Sequence, residues 1–510
     1  MQYKDSPYFH VGRASDLTGS DRALYRALEI LPGFLSWGTI LGTLILSFYA
    51  PVWAAYFIIL FDLYWLLKTI YLSLHLRHNW KRFRFNLKVD WNERLQNLKY
   101  EHVYHLVLLP FYKESIEVVT HTLDSIRMAH GDKKNMIIVL AGEERAKEHA
   151  NEVAVEIQRK FGDTFGHFLF TLHPSNVSGE MVGKGSNISY AAEEARIRIL
   201  DINHVPYENV IVSAFDIDTV VYPHYFQCVM WHFLTVPNPY KTSYQPIPLY
   251  NNNIWHAPAF SRVVALSSTF WQMIQQERPE KLATFSSHSV SFKALYEIGY
   301  WQKNIVSEDS RIFWNLFLAH DGNYSVVPIS YPVSMDANLA PGIFETLKNV
   351  YKQHRRWTWG VENVPYILFG FIKNKNIPFY KKFRAATVQL EGFWSLATNP
   401  LMIFLLGWLP LVVGGTEFNA TVLSHNLPII TRNLMVLSMC GLLLSTIISI
   451  TLLPPLPKGY SRRRQVYMVL QWILVPVTII VFGALPGLDA QTRLMLGKYM
   501  GFWVTPKHRK

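Results

Sequence analysis

Charge and cysteine are the two scarce commodities in this chain. Of 510 residues only 17% are Asp, Glu, Lys or Arg, against about 25% in average soluble proteins. That scarcity, beside 50% hydrophobic residues, excludes a disordered chain, which would be polar and charged. Two cysteines, Cys228 and Cys440, exclude a disulfide scaffold and any zinc centre built on several thiolates. No internal repeat and no low-complexity stretch occurs. The first 29 residues hold no compact apolar core with a cleavage site, so a secretory leader is not expected.

The missing charge is not spread evenly. Residues 30–61, 392–416, 433–457 and 465–488 carry none, in runs of 32, 25, 25 and 24 residues. A helix needs about 20 apolar residues to cross a bilayer, whereas buried core helices are more often 10–14. The first run is too long for one span and continues past Asp62 to Leu74, with Pro51 near its middle. It reads as a hairpin, 32–49 out and 52–75 back, turning at Ala50-Pro51. Asp62 falls midway along the second arm, where a charge is costly; it is expected to hydrogen-bond a neighbouring helix or to brace a pore.

What charge there is leans basic, 49 Lys and Arg against 37 Asp and Glu, a net +12. Much of the excess flanks the apolar runs, as in Arg77-His78-Asn79-Trp80-Lys81-Arg82-Phe83-Arg84 and in Lys458, Arg462, Arg463 and Arg464. The basic-inside rule places residues 76–385 in the cytoplasm, and contact with anionic lipid accounts for the excess without nucleic acid. Three spans after residue 385 would put the Lys507–Lys510 tail outside, against that rule, unless one run is re-entrant. The run 465–488, interrupted by Pro476 and Pro486, is the candidate.

Between the membrane segments, short apolar runs alternate with helical patterns. Residues 103–109, 136–140, 168–172 and 210–214 read as buried strands. Residues 116–129, 143–161 and 188–200 read as helices. The alternation implies a doubly wound α/β sheet, mainly parallel, whose ligands sit beyond the carboxyl ends of its strands. Polar loops follow there: Pro110–Glu114, Ala141–Glu144, Gly183–Asn187 and Phe215–Thr219. Asp216 and Asp218, two residues apart on an extended chain, suit a hard divalent cation that also holds phosphates; a turn with local hydrogen bonds is the plainer reading. Lys184, in a glycine-flanked turn opening a helix, suits a phosphate or is simply solvated. Ser307-Glu308-Asp309 reads as a helix start with an N-cap serine, and a carboxylate there can serve as a general base. Arg356, Trp357 and Trp359 suit a phosphate and a stacked sugar, or a belt at the membrane interface.

Taken in order, these elements resemble the membrane-integrated family 2 glycosyltransferases of the cellulose synthase and hyaluronan synthase group. The resemblance covers the chain from Val103 to Lys507. Pro110-x-Tyr112-x-Glu114 resembles the nucleotide-binding end of the first strand, and Lys184 with Asn187 the element near the diphosphate. Asp216-x-Asp218 resembles the metal-binding Asp-x-Asp. Ser307-Glu308-Asp309 resembles Thr-Glu-Asp, whose Asp is the catalytic base. Gln353-x-x-Arg356-Trp357 resembles the motif that binds the donor diphosphate and the acceptor end. Phe502-x-Val504-Thr505-x-Lys507 resembles the gating loop. The family's acidic loop after the second strand is Leu140-Ala141-Gly142-Glu143 here, which makes Glu143 the substitute candidate.

The resemblance implies a glycosyltransferase-A-like mixed, mainly parallel sheet between transmembrane helices. Residues 1–31 would form a cytoplasmic segment, 32–75 a transmembrane hairpin, and 76–335 the catalytic domain. Residues 336–385 would be interfacial, 386–488 would form C-terminal spans, and 489–510 an amphipathic tail. The implied activity is inverting transfer from a nucleotide sugar, expected to be a UDP-sugar, with Mg²⁺ or Mn²⁺, to a growing β-linked polysaccharide at the cell membrane. Single addition to a lipid or protein acceptor is the alternative, and a transporter with a nucleotide-binding domain is the reading from another class. The sequence leaves the sugar, the linkage and the oligomeric state open.

Overall fold

A computed structural model describes residues 3–459 and 463–506. Two long antiparallel helices open it, α1 (Gly19–Tyr49) and α2 (Pro51–Asn86). They turn at Ala50-Pro51 as expected and extend further than expected at the ends remote from that turn. Pro51 sits in the first turn of α2, where its missing N–H costs no hydrogen bond. Both helices are long and apolar enough to cross a membrane. Many of their large apolar side chains are exposed, among them Phe34, Ile45, Trp53 and Leu60. A water-soluble helix would bury that face.

The central segment is an α/β unit. In chain order come β1 (Tyr104–Pro110), α3 (Ile116–Met128), β2 (Met136–Glu143), α4 (Lys147–Phe161), β3 (His167–His173), α5 (Lys184–Ala195), β4 (Val210–Ala214) and β5 (Val220–Val221). There follow α6 (Tyr225–Thr235), β6 (Thr242–Leu249), α7 (Ala259–Gln276), β7 (Ser289–Ser291), α8 (Glu308–Ala319) and β8 (Ser325–Ser334). All eight strands form one sheet in the order β3-β2-β1-β4-β7-β6-β8-β5. The β1, β2, β3 and β4 pairings and that of β6 with β8 are parallel, while β7 runs antiparallel to both its neighbours. This is the expected mixed, mainly parallel sheet. Val107, Ile138 and Ile211 face one core with α3, α4 and α6. Leu106, Ile137 and Val212 face another with α5 and α8. Strands buried on both faces explain why they read as continuous apolar runs.

Two boundaries differ from expectation. Glu143 closes β2 instead of opening the next helix, because β3 continues to pair with β2 through Glu143 and His173. The helix expected at 188–200 begins four residues earlier, at Lys184, and finishes in a π-turn over Arg196–Leu200.

Beyond the sheet, α9 (Ile343–Thr358) and α10 (Asn363–Lys373) lead to α11 (Phe379–Phe404) and α12 (Val422–Leu452). α11 passes the membrane-length test together with Leu406–Val413, to which it is bent by 48°. α12 packs along α2, where the buried Asp62 faces Thr431. The last apolar run forms the stretch Val466–Met495, also apolar enough to span. Its helix breaks into 3₁₀ and π turns around Pro476 and Pro486. Along its length it touches the α/β unit and its flanking helices. Trp472 stacks on Phe270 of α7 at 5.5 Å, Gln471 accepts from Arg262 at 2.7 Å, and Phe482 stacks on Phe260. Asp489 pairs with Arg355 of α9 at 3.1 Å. Its far end reaches the start of α1, where Arg26 donates to the Leu494 carbonyl at 2.9 Å. Lys507, the tail to Lys510, and Arg462 lie outside the described residues.

Candidate active site

The carboxyl ends of β1, β2 and β4 and the start of α5 converge on one narrow cleft. Its walls include Tyr112, Glu114, Glu143, Lys184, Asn187, Asp216, Asp218 and Arg356, and it is closed on one side by Phe502, Val504 and Thr505. Residues that are up to 395 positions apart in sequence thus meet at the edge where an α/β sheet binds ligands.

Lys184 is the hub. Its Nζ donates to Asp216 Oδ1 at 2.7 Å and to Asp309 Oδ1 at 2.9 Å. Burial alone would lower the pKa of the ammonium; its carboxylate neighbours, Asp216 and then Asp309 foremost, outweigh it and hold it well above the ordinary lysine range. Gly183, which precedes Lys184, has to be glycine on steric grounds. A Cβ at that position would stand 2.7 Å from Cγ of Phe502, so the C-terminal segment approaches the α5 turn at backbone distance.

Asp216 and Asp218 both reach the cleft, but not from one extended strand. β4 ends at Ala214, and the chain turns so that Thr219 N–H donates to the Asp216 carbonyl at 2.9 Å. Asp216 is 29% exposed on its side chain and also accepts from the Ser286 hydroxyl at 2.7 Å. Asp218 lies beneath it, fully buried, and accepts from the Asp336 amide at 2.9 Å. The donor set is two hard carboxylates with no third Asp, Glu, His or Cys grouped with them among the described residues. That fits a Mg²⁺ or Mn²⁺ whose remaining ligands are phosphate oxygens and water.

Asp309 and Glu308 begin α8. Ser307 is at the N-cap position as expected, but its hydroxyl does not cap; it donates to Glu362 Oε1 at 2.7 Å. Glu362 also accepts from the amides of Val306 and Ser307 and from the indole of Trp359. It ties the turn that carries Asp309 to the segment after Arg356. Trp359 is therefore buried as an internal strut and belongs to no interfacial belt. Glu308 is buried, and burial together with the neighbouring Asp309 raises its carboxyl pKa to about 8, against the opposing pull of Lys184 and Arg356. Asp309 keeps 23% of its side chain exposed. It reaches the cleft through Lys184 and is not one of its walls.

The remaining expected residues divide. The Arg356 guanidinium lies over the Phe502 ring at 4.9 Å, and its buried Nε has no hydrogen-bond partner among the described residues. Its charge also acts on the buried Glu308, and a guanidinium in this position suits a phosphate. Glu143 lines the cleft and forms a salt bridge with Arg145, whose guanidinium covers the Tyr112 ring at 4.5 Å. Glu114 turns its carboxylate onto its own loop, accepting from the Tyr112 amide at 2.7 Å. Asn187 donates to the Ala141 carbonyl at 2.8 Å and locks α5 to the end of β2. Gln353 and Trp357 do not line the cleft. Gln353 is buried and accepts from Asn338, and Trp357 packs on Tyr250, Phe285 and His354.

Three residues here have no counterpart in the motifs read from the sequence: Ser286, Glu362 and His288. His288 is fully buried, with Nδ1 3.9 Å from Asp309 Oδ1. Burial pulls its pKa down, against the pull of Asp309, which keeps the ring neutral.

Residues 211–482 match the sequence profile described as "Glycosyl transferase family group 2". The chain is a family 2 glycosyltransferase. No curated protein matches it. Among solved structures, the mannosyltransferase PcManGT from Pyrobaculum calidifontis, in complex with GDP-Man and Mn²⁺, is 12% identical to the transferase with a TM-score of 0.41. The alignment covers 87% of this chain and 100% of that one. S. aureus TarS 1–349 is 9% identical with a TM-score of 0.36, over 68% of this chain and 91% of that one. Its complex with UDP-GlcNAc is 11% identical with a TM-score of 0.31, over the same shares.

Proposed function

We propose that this transferase is a membrane-bound inverting enzyme of the cellulose synthase and hyaluronan synthase type. It passes a sugar from a nucleotide sugar, a UDP-sugar, to a growing β-linked polysaccharide. The observation that carries the reading is the meeting of Lys184, Asp216 and Arg356 in one cleft, with the Asp309 carboxylate held against Lys184.

In this account Asp216 and Asp218 would hold a Mg²⁺ or Mn²⁺, which would supply positive charge to the donor diphosphate. Lys184 and Arg356 sit where negative charge grows on the leaving group. Tyr112, Glu114 and Glu143 form the nucleoside wall, with Arg145 fixing Glu143. Asp309 accepts the proton of the acceptor hydroxyl as its oxygen bonds to the anomeric carbon. The bond from that carbon to the diphosphate breaks, and the nucleoside diphosphate leaves with the electron pair. Configuration inverts because attack and departure are in line. Glu308, neutral at its raised pKa, adds no second negative charge beside the base. Gln353 braces α9 under Arg356, and Trp357, backed by Tyr250, presents its open face to the acceptor sugar. Phe502, Val504 and Thr505 form the segment that covers the cleft and moves when donor enters.

The contacts of Val466–Met495 support a membrane placement that removes the conflict with the basic tail. It touches the α/β unit at Gln471, Trp472 and Phe482 and packs at Ala484 and Leu488 on Ala397 and Leu401 of α11 and on Trp37 of α1; on the first set of contacts it is placed along the cytoplasmic face, not across the membrane. α1, α2, α11 and α12 then make four crossings, and both termini and the catalytic unit are cytoplasmic. The test is to supply a panel of nucleotide sugars to purified enzyme and size the products. Long β-linked polymer from one donor is expected; single-addition products from every donor would overturn the polymer reading.

A further inference from the structure

A second cavity, of about 460 Å³, lies away from the transfer cleft. The loop before β6, the loop after α7, the side of α8 and the first three turns of α11 enclose it. Phe313, Phe317 and Tyr324, all buried, form its floor. Its rim carries Lys241, Lys281, Lys381 and Arg384 against one carboxylate, Glu280. Lys381 donates to the Gly322 carbonyl at 2.9 Å. The carboxylate of Glu391, about two turns beyond Arg384 along α11, is taken by Lys68 of α2. Among the described residues no ion pair engages Lys241, Lys281 or Arg384. Burial, with Arg278 and Arg384 nearby, holds the Lys281 ammonium below its ordinary pKa against the pull of Glu280 and Glu391. Four cations facing one rim carboxylate repel one another, and an anion entering the cavity relieves them.

The position of the cavity selects the anion. Arg384 is eight residues before Gly392, where the charge-free run of α11 begins, a rise of about 12 Å along the helix. Phe379, Tyr380 and Phe383 stand 78%, 63% and 63% exposed on the same turns, the arrangement of an interfacial aromatic belt. A free phosphate would have no use for the aromatic floor or for these exposed rings, whereas a lipid uses both.

We propose that this cavity seats the phosphate headgroup of one anionic phospholipid from the adjoining leaflet, held by Lys241, Lys281 and Arg384, with acyl chain along α11. The site is separate from the transfer cleft, but it rests on the membrane placement proposed above. The test is native mass spectrometry of the full-length purified enzyme titrated with phosphatidylglycerol, phosphatidylcholine or inorganic phosphate. One retained phosphatidylglycerol is expected, with no retained phosphatidylcholine. Lys281→Gln/Arg384→Gln is expected to weaken retention roughly tenfold or more. Lys241→Gln/Arg384→Gln alters only exposed side chains and is expected to do the same with folding intact. Lys81→Gln/Arg84→Gln, on the basic flank of α2, is expected to leave retention unchanged. Equal retention by wild type and both cavity variants overturns the site, as does displacement of the lipid by millimolar inorganic phosphate. Vesicle partitioning separates the two claims. A protein that enters neither neutral nor anionic vesicles overturns the membrane placement and the site with it. Partitioning with no retained phosphatidylglycerol overturns the site alone.

Discussion

The Lys184 ammonium donates to the Asp309 carboxylate at 2.9 Å, joining the first turn of α5 to the first turn of α8. The same nitrogen holds Asp216 at 2.7 Å. A lysine shared between the proposed metal-binding carboxylate and the proposed base lies between the two before donor arrives, and it is placed to meet the leaving diphosphate afterwards. Lys184→Met is expected to lower kcat about 10²–10³-fold and to weaken binding of the nucleoside diphosphate. Initial rates and calorimetric titration check the two effects. Unchanged diphosphate affinity in the variant would remove Lys184 from the donor site.

Gly183 and Phe502 form a steric pair with an unusual consequence. Gly183→Ala sets a methyl group 2.7 Å from the Phe502 ring, so the covering segment has to shift. The donor KM should change in Gly183→Ala and recover in part in Gly183→Ala/Phe502→Ala, because contacting residues are not additive, while the Phe502 Cβ at 3.0 Å and the positive φ of residue 183 remain. Additive effects of the two substitutions would show that the contact does not control donor entry.

Glu308 supplies a pH dependence. Its carboxyl is raised to about 8, first by burial and then by Asp309, so it ionises as pH climbs through that region and adds negative charge beside the diphosphate site. Donor KM is expected to rise above pH 8 in wild type and to stay flat in Glu308→Gln, which resembles the neutral acid. The sign for stability follows. A carboxyl with a raised folded pKa makes the fold most stable below its unfolded pKa, and stability declines between about 4.5 and 8. Identical KM profiles for the two proteins would exclude Glu308 as the titrating group.

Arg311 tests the scaffold apart from the chemistry. It is fully buried in α8, donates to Asn363 Oδ1 at 2.6 Å, to Gln302 Oε1 at 3.1 Å and to the Glu362 carbonyl at 3.1 Å, and lies over the Tyr366 ring at 4.0 Å. Arg311→Met removes the side-chain donor from Asn363 Oδ1 and from the Glu362 carbonyl, while Gln302 keeps Asn315, and is expected to cost on the order of 3 kcal/mol, read as a lower thermal midpoint in detergent. A midpoint within a degree of wild type would contradict the assigned role.

Much of this architecture is legible in the sequence where one physical signal dominates. β4 coincides with its run Val210–Ala214 because a strand buried on both faces is mainly apolar; its one polar side chain, Ser213, shares a hydrogen bond with Ser289 of β7. The turn at Pro51 and the residues gathered in the cleft are legible for similar reasons. β6 and β8 are not, since Pro246, Pro248, Pro328 and Pro332 argue against central strands; the sheet accommodates them with a register shift between Gln245 and Ile247. Asp216 and Asp218 differ in exposure because the turn after β4 is fixed by partners remote in sequence, Asn252 and Asp336. Ser286, His288 and Glu362 have no motif. An ordinary serine, histidine or glutamate becomes part of a site only when β7 and α10 bring it beside one.

Asp309→Asn offers the most direct test of the central claim. It should be made in the purified full-length enzyme, with metal-dependent release of nucleoside diphosphate and donor affinity measured on the same sample. The account predicts turnover lowered about 10²–10⁴-fold, with donor affinity within a few-fold of wild type. Near-normal turnover in Asp309→Asn would contradict it.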